Sequence, residues 1–244
     1  MSAELVLALA AGFFVIAVLY SSVGHAGASG YIAVMSLLGL APVVIKPTAL
    51  ALNLLVAAIT SWQFLRAGHF DRRLFWPFAL PAVPLAFLGG YLQLPAHLFK
   101  VLVGVVLIYA AMRLLFDSGQ ERVIKAPGTP VAAAAGGAIG LLAGLTGTGG
   151  GIFLTPLLLS MGWAKVKQAA AVSAPFILLN SAAGLAGNFA STTQLPAELP
   201  WLLGAVAAGG LIGSRLGSRR LPVEAIKRLL AVVLVIAGLK LVLG

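Results

Sequence analysis

The sequence predicts an all-helical, polytopic membrane protein built from two inverted repeats. Each repeat is expected to hold a broken or re-entrant helix pair at a glycine-rich turn, followed by three transmembrane helices. Three observations predict this: long apolar runs between short polar stretches, an internal duplication, and the placement of the basic residues. Of the 244 residues 61% are hydrophobic and 9% charged, whereas soluble domains carry about 25% charge. So much apolar length belongs in a lipid bilayer. Helices are expected to cross it, because a helix satisfies its own backbone groups where no water is present. The frequent Gly and Ala residues suit close helix packing, and the alternating segments of about ten residues that mark a barrel are missing.

The duplication can be read directly. Residues 94–115 align without gaps with 221–242, and nine of the 22 pairs are identical. Upstream, Gly24 and Gly27 correspond to Gly147 and Gly150, and Gly39 to Gly162. The chain therefore divides into a first repeat (1–116), a polar linker expected in the cytoplasm (117–130) and a second repeat (131–244). Each repeat opens with an apolar segment (5–20; 131–145), breaks at small residues (21–29; 146–150) and resumes in a second segment (30–45; 151–163). Three longer segments follow, 47–65, 74–92 and 95–116, matched by 168–190, 201–216 and 222–243.

Charge decides how the broken pairs run. If each pair returns to its starting side, 13 of the 16 Lys and Arg share one face and only Lys46, Lys100 and Lys240 lie on the other. If each pair is a single crossing, the division is 7 to 9. Cytoplasmic loops collect Lys and Arg, so the returning arrangement is expected, with both termini outside and the halves inverted. The paired segments hold 13 to 16 residues, roughly 20–24 Å of helix, less than the roughly 30 Å of a hydrocarbon core. Their tips are therefore expected at mid-membrane. The net charge of +10 sits in loops, where it encodes orientation, so lipid rather than nucleic acid is the expected partner. With no cysteine, disulfides, thiolate metal sites and cysteine nucleophiles are excluded, and no cofactor is called for.

The breaks carry the chemistry. Residues 21–30 and 146–151 each lead straight into a helix whose first N–H groups are unpaired and lie at the positive end of its dipole. Glycine lets such a helix start approach a ligand closely, and the amides bind an anion without a cationic side chain. Candidate contacts are the backbone amides of Gly27, Ser29, Gly30, Gly149, Gly150 and Gly151, with the hydroxyls of Ser29, Thr146 and Thr148. His25, the histidine placed at membrane depth, either touches the substrate, titrates or is hydrogen-bonded packing. Asn53 and Asn180 fall mid-segment in corresponding helices and serve as glue between helices or as site lining. Lys46 either snorkels at an outer helix end or attracts anions. Every carboxylate (Glu4, Asp71, Asp117, Glu121, Glu198, Glu224) falls at a segment end or in a loop. That argues against a carboxylate relay or a carboxylate-held cation. With no His-Glu-x-x-His and no intramembrane Asp, an enzyme is not expected, whereas a passive anion channel with re-entrant half-helices competes with a carrier.

The residues that carry this pattern have a familiar form. Gly147-Thr-Gly-Gly-Gly-Ile-Phe-Leu-Thr-Pro-Leu-Leu-Leu resembles the glycine-rich signature of the TauE/SafE family of sulfite exporters. The segments that begin at Val23, Lys46 and Phe176 also look like one branch of it, and the resemblance spans the whole chain. It implies export of sulfite, or of an organosulfonate such as sulfoacetate, across the bacterial cytoplasmic membrane by a secondary transporter. In the first break, Gly-His-Ala-Gly-Ala-Ser-Gly stands where the family has a plain glycine run.

Overall fold

A computed structural model of the chain describes residues 2–22, 25–66, 68–116, 127–191, 195–217 and, near the C-terminus, 234–236, 238, 239 and 241–243. These residues form α-helices and turns, with no strand among them. The helices are α1 (Ala3–Ser22), α2 (Ala28–Leu37), α3 (Pro42–Arg66), α4 (Arg72–Tyr91), α5 (Ala96–Phe116), α6 (Thr129–Thr146), α7 (Gly151–Ser160), α8 (Val166–Ser191) and α9 (Leu199–Gly217). Five of them, α1, α3, α4, α6 and α8, are long and apolar enough to cross a membrane. The linker at 117–126, the basic residues Arg219, Arg220, Lys227 and Arg228, and most of the last expected segment lie outside the described residues.

The broken pairs differ from expectation in two respects. Their first arms are full-length helices, α1 with 20 residues and α6 with 18. Only the second arms are half-length, 10 residues each in α2 and α7, about 15 Å at the usual rise. The expected segment 30–45 is two elements, because the chain turns at Gly39 (φ 78°) and starts α3 at Pro42. Its counterpart turns at Gly162 (φ 67°) before α8. Lys46 therefore lies within α3 rather than ahead of it, and Pro47 sits inside the helix rather than at its start. Charge counting could not detect this, since an extra turn in apolar sequence moves no Lys or Arg.

Contacts along the helices give their directions. Gly12 of α1 faces Val34 of α2, and Gly30 of α2 faces Ile16 and Tyr20, so α2 runs back along α1. In α9, Gly209 and Gly213 sit on Phe14 and Val18 of α1, and Gly210 on Val56 of α3, while Gln63 donates to Ser214 at 2.9 Å. Thus α1, α3 and α9 run parallel. Similarly Gly136, Gly140 and Gly144 of α6 sit on Phe78, Ala82 and Ala86 of α4. Asp71 and Gln93 at the two ends of α4 bond Gln168 and Ser191 at the two ends of α8, so α4, α6 and α8 are also parallel. The two trios oppose each other: along α3, Leu50 meets Gly184 of α8 and Asn53 meets Ser181.

These approaches are backbone to backbone. A Cβ on Gly136, Gly140 or Gly144 would meet a carbonyl oxygen of α4, and one on Gly213 the carbonyl of Val18. In lipid, where apolar surface gives helices little reason to associate, such close contact supplies the dispersion that holds them together. Two apolar clusters result. One gathers side chains of α1, α2, α3, α5 and α9, with Ile177 reaching in from α8. The other gathers α4, α6, α7 and α8. The fourth helix of each half is thus packed into the cluster of the other half. At the Arg-rich end Asp71 caps α4, its Oδ1 accepting from the amides of Arg73 (2.8 Å) and Leu74 (3.2 Å), which fixes where that helix begins.

Candidate functional site

Both glycine breaks end on the seam between the two clusters. Gly27 precedes α2 with φ 100°, and Gly147, Gly149 and Gly150 precede α7 with φ 81°, 72° and 85°. These are left-handed conformations that L side chains adopt only at a cost, and they let the chain reverse within a few residues. Tyr31 steadies the first break, its hydroxyl donating to the Ala26 carbonyl at 2.9 Å. Thr146 steadies the second by donating to the Leu142 carbonyl at 2.7 Å.

Where the breaks meet, near the middle of α3 and α8, lies a small, half-open pocket with about 220 Å³ of empty space between and in front of its walls. Tyr20, His25, Ala26, Gly27, Ala28 and Ser29 line it around the first break together with Asn53 of α3. Thr148, Gly151, Ile152 and Ile177 line it from the second break, α7 and α8. No Lys, Arg, Asp or Glu is among these residues. The proximity of the breaks is direct, since a Cβ on Gly151 would lie 3.8 Å from Cδ2 of His25.

Asn53 joins the parts. Its Oδ1 accepts from the amide of Ala28, the first of α2, at 3.2 Å, and its Nδ2 donates to Ser181 of α8 at 2.9 Å. A Cβ on Gly149 would collide with that same Nδ2. Asn53 is therefore at once a tie between repeats and a wall of the pocket. Ser29 shares a 2.8 Å hydrogen bond with the hydroxyl of Tyr20.

Of the residues singled out in the sequence, the structure brings His25, Gly27, Ser29, Asn53, Thr148 and Gly151 to the pocket. Gly149 lies behind it, against Asn53 and Ser181. Three others are not among the residues that line it. Gly30 faces Ile16 and Tyr20, and Gly150 faces Phe176, Ile139 and Ala143. Asn180 is buried on α8, its Nδ2 donating to Phe176 of its own helix at 2.9 Å and its Oδ1 left without a partner. Lys46 does not snorkel. It is 5% exposed, and its Nζ donates to the carbonyls of Leu92 (2.9 Å) and Gly89 (3.3 Å), where a cation complements the negative end of α4. Tyr20, Ile152 and Ile177 were missed because an apolar or aromatic residue in an apolar run carries no signal of its own. Tyr20 had a weak one, the residue immediately before a polar break.

The chain matches the model of the family described as sulfite exporter TauE/SafE over residues 8–241. It is 46% identical over 238 residues to the probable membrane transporter protein y4hK of Sinorhizobium fredii (strain NBRC 101917 / NGR234), covering 96% of each chain. No solved structure gives a significant match. A family match over nearly the whole chain, a transporter relative of the same length and helices able to cross a membrane agree: this multi-pass membrane protein belongs to the sulfite exporter TauE/SafE family.

Proposed function

We propose that the protein is a secondary transporter that exports a small sulfur-containing anion, sulfite or an organosulfonate such as sulfoacetate, across the bacterial cytoplasmic membrane. One observation carries this reading: the starts of α2 and α7 converge on a pocket lined by hydroxyls, an amide and the His25 imidazole, with no Lys, Arg, Asp or Glu among its lining residues. Two helix starts bring about half a positive charge each, together with backbone amides beyond that of Ala28, which Asn53 already engages, to a place where a cationic side chain would need its own partner. The opposed trios support reading the chain as inverted repeats, residues 1–116 and 131–244 about the linker 117–130, with the pocket between them.

Export of an anion from a cell with a negative interior is favoured by about 2.3 kcal/mol per charge per 100 mV, so no coupled cation is required. The purified protein in liposomes is expected to move labelled sulfite in a saturable manner and faster under an imposed potential, with sulfoacetate and thiosulfate tested beside it. A non-saturating, electrically resolvable conductance would mean a channel. Flux driven by a pH gradient and unaffected by potential would replace electrogenic export with proton coupling.

Topology has its own test. Single cysteines introduced into this cysteine-free chain near Arg72 and Arg215 are expected to react from the cytoplasm, and one at Gln93 from outside. Labelling of Arg72 and Arg215 positions from opposite sides would end the inverted reading.

A further inference from the structure

Two asparagines at matching places are used unequally. Asn53 of α3 accepts through Oδ1 from the amide of Ala28, the first residue of α2, at 3.2 Å. Its counterpart Asn180 of α8, fully buried, donates from Nδ2 to the Phe176 carbonyl at 2.9 Å and leaves Oδ1 without a partner. Neither orientation is open to choice, because a backbone amide only donates and a carbonyl only accepts, so the side-chain atom that faces each is fixed. The helix starts are unequal in the same sense. Among the described residues none accepts from the amide of Gly151, the first residue of α7, which lines the pocket. One repeat thus has a capped helix start and an engaged asparagine, and the other has an open start and an idle asparagine.

The idle asparagine stands beside the open start. A Cβ on Gly149 would meet Ile177 and Ser181, one on Gly150 would meet Phe176, and one on Gly151 would meet Ile177 again. The turn of α8 that carries Asn180 therefore packs against the second break, and a buried oxygen with no partner there calls for an explanation. We propose that the two asparagines cap by turns. In the present arrangement Asn53 closes the α2 start and the anion rests at the α7 start. In the opposite one Asn180 Oδ1 takes the Gly151 amide, Asn53 turns back onto its own helix, and the α2 start is open. The anion is handed from one start to the other as the caps exchange, which is what inverted repeats that trade conformations around one site permit. Ser181 weights the balance. Its hydroxyl accepts from Asn53 Nδ2 across the seam at 2.9 Å, whereas Leu54, the residue of α3 that matches Ser181, has no hydroxyl to offer Asn180. The present arrangement is therefore the resting one. The inference rests on the proposed anion transport and names how the site changes during it.

Asn180→Leu separates this exchange from packing. In the present arrangement the substitution removes an unpartnered oxygen and one bond within a helix, so the purified protein is expected to unfold at or above the wild-type temperature. Labelled sulfite flux in liposomes is expected to fall about tenfold or more, since the second arrangement loses its cap. A cysteine in place of Ile152, which lines the pocket, gives a readout that needs no transport: its reaction with a membrane-impermeant maleimide is compared from the two sides of the membrane. The ratio is expected to shift about two- to tenfold one way in Asn180→Leu and the other way in Asn53→Leu. Wild-type flux in Asn180→Leu, a joint fall of flux and unfolding temperature, or a ratio that both variants shift alike or leave unchanged overturns the exchange. Should Asn53→Leu not fold, the flux and stability of Asn180→Leu decide. If the wild-type protein moves no sulfur anion while the two variants still shift labelling in opposite senses, the proposed function falls and the exchange of caps stands.

Discussion

Asn53→Leu is expected to abolish sulfite flux, by at least about 100-fold, in protein that still reaches the membrane. The substitution keeps the volume of the side chain but leaves the amide of Ala28 and the hydroxyl of Ser181 without their shared partner. A buried polar group left unpaired costs about 1–3 kcal/mol. Two of them cost about 2–6 kcal/mol, a range centred above the roughly 2.7 kcal/mol that a 100-fold effect represents. The loss falls on the seam rather than within either apolar cluster, so the walls of the pocket, the start of α2 among them, lose their register while the helices remain packed. Ser181→Ala removes one half of the tie and is expected to cost about tenfold. Flux and the detergent-solubilised melting curve measured on the same preparations check both. Wild-type flux in Asn53→Leu would show that the bridge is packing alone.

The second large effect is on folding. Gly144→Val is expected to yield little or no folded protein, because its Cβ would enter the space of the Ala86 carbonyl and the Gly90 amide, both backbone. Neither can swing aside as a side chain would. Forcing mass into a packed contact commonly costs about 1–3 kcal/mol, and at about 2–4 °C per kcal/mol for a chain of this length the melting temperature should fall by about 2–12 °C even for Gly144→Ala. Gly204 supplies the control, since a Cβ there meets nothing within 4 Å and Gly204→Ala should leave the melting temperature unchanged. A Gly144→Val protein of wild-type stability would mean that α4 and α6 are not held this closely in the membrane.

Much of this architecture was legible because the bilayer imposes simple rules. The helical class, the glycine breaks and the return of α2 along α1 could be read from spacing and from where Arg66, Arg72 and Arg73 fall. The lengths of α1 and α6 could not, since a helix continues through Ser21 or Thr146 as readily as it stops there when its neighbours satisfy the hydroxyl. At the pocket, polar residues among small ones announced themselves, as with His25, Ser29, Asn53 and Thr148. Asn53 and Asn180 illustrate the limit. They occupy matching places in α3 and α8, yet Asn53 ties α2 to α8 while Asn180 turns back onto its own helix. That difference depends on which residue faces each amide across the seam, and no spacing in one sequence encodes it.

The exchange of fourth helices sets the order in which the molecule can be completed. When α1 leaves the ribosome its partner α9 is still unmade, since it begins only at Leu199, and the face around Phe14 and Val18 has no glycine ridge to receive it. The wait is shorter for α4, because α6 begins at Thr129. During synthesis the α4, α6 and α8 trio can therefore close first, while α1 and α3 stand in lipid or against the insertion machinery until the chain is nearly finished. A chain cut short before Leu199 would leave an assembled trio beside α1 and α3 that lack the helix they pack against.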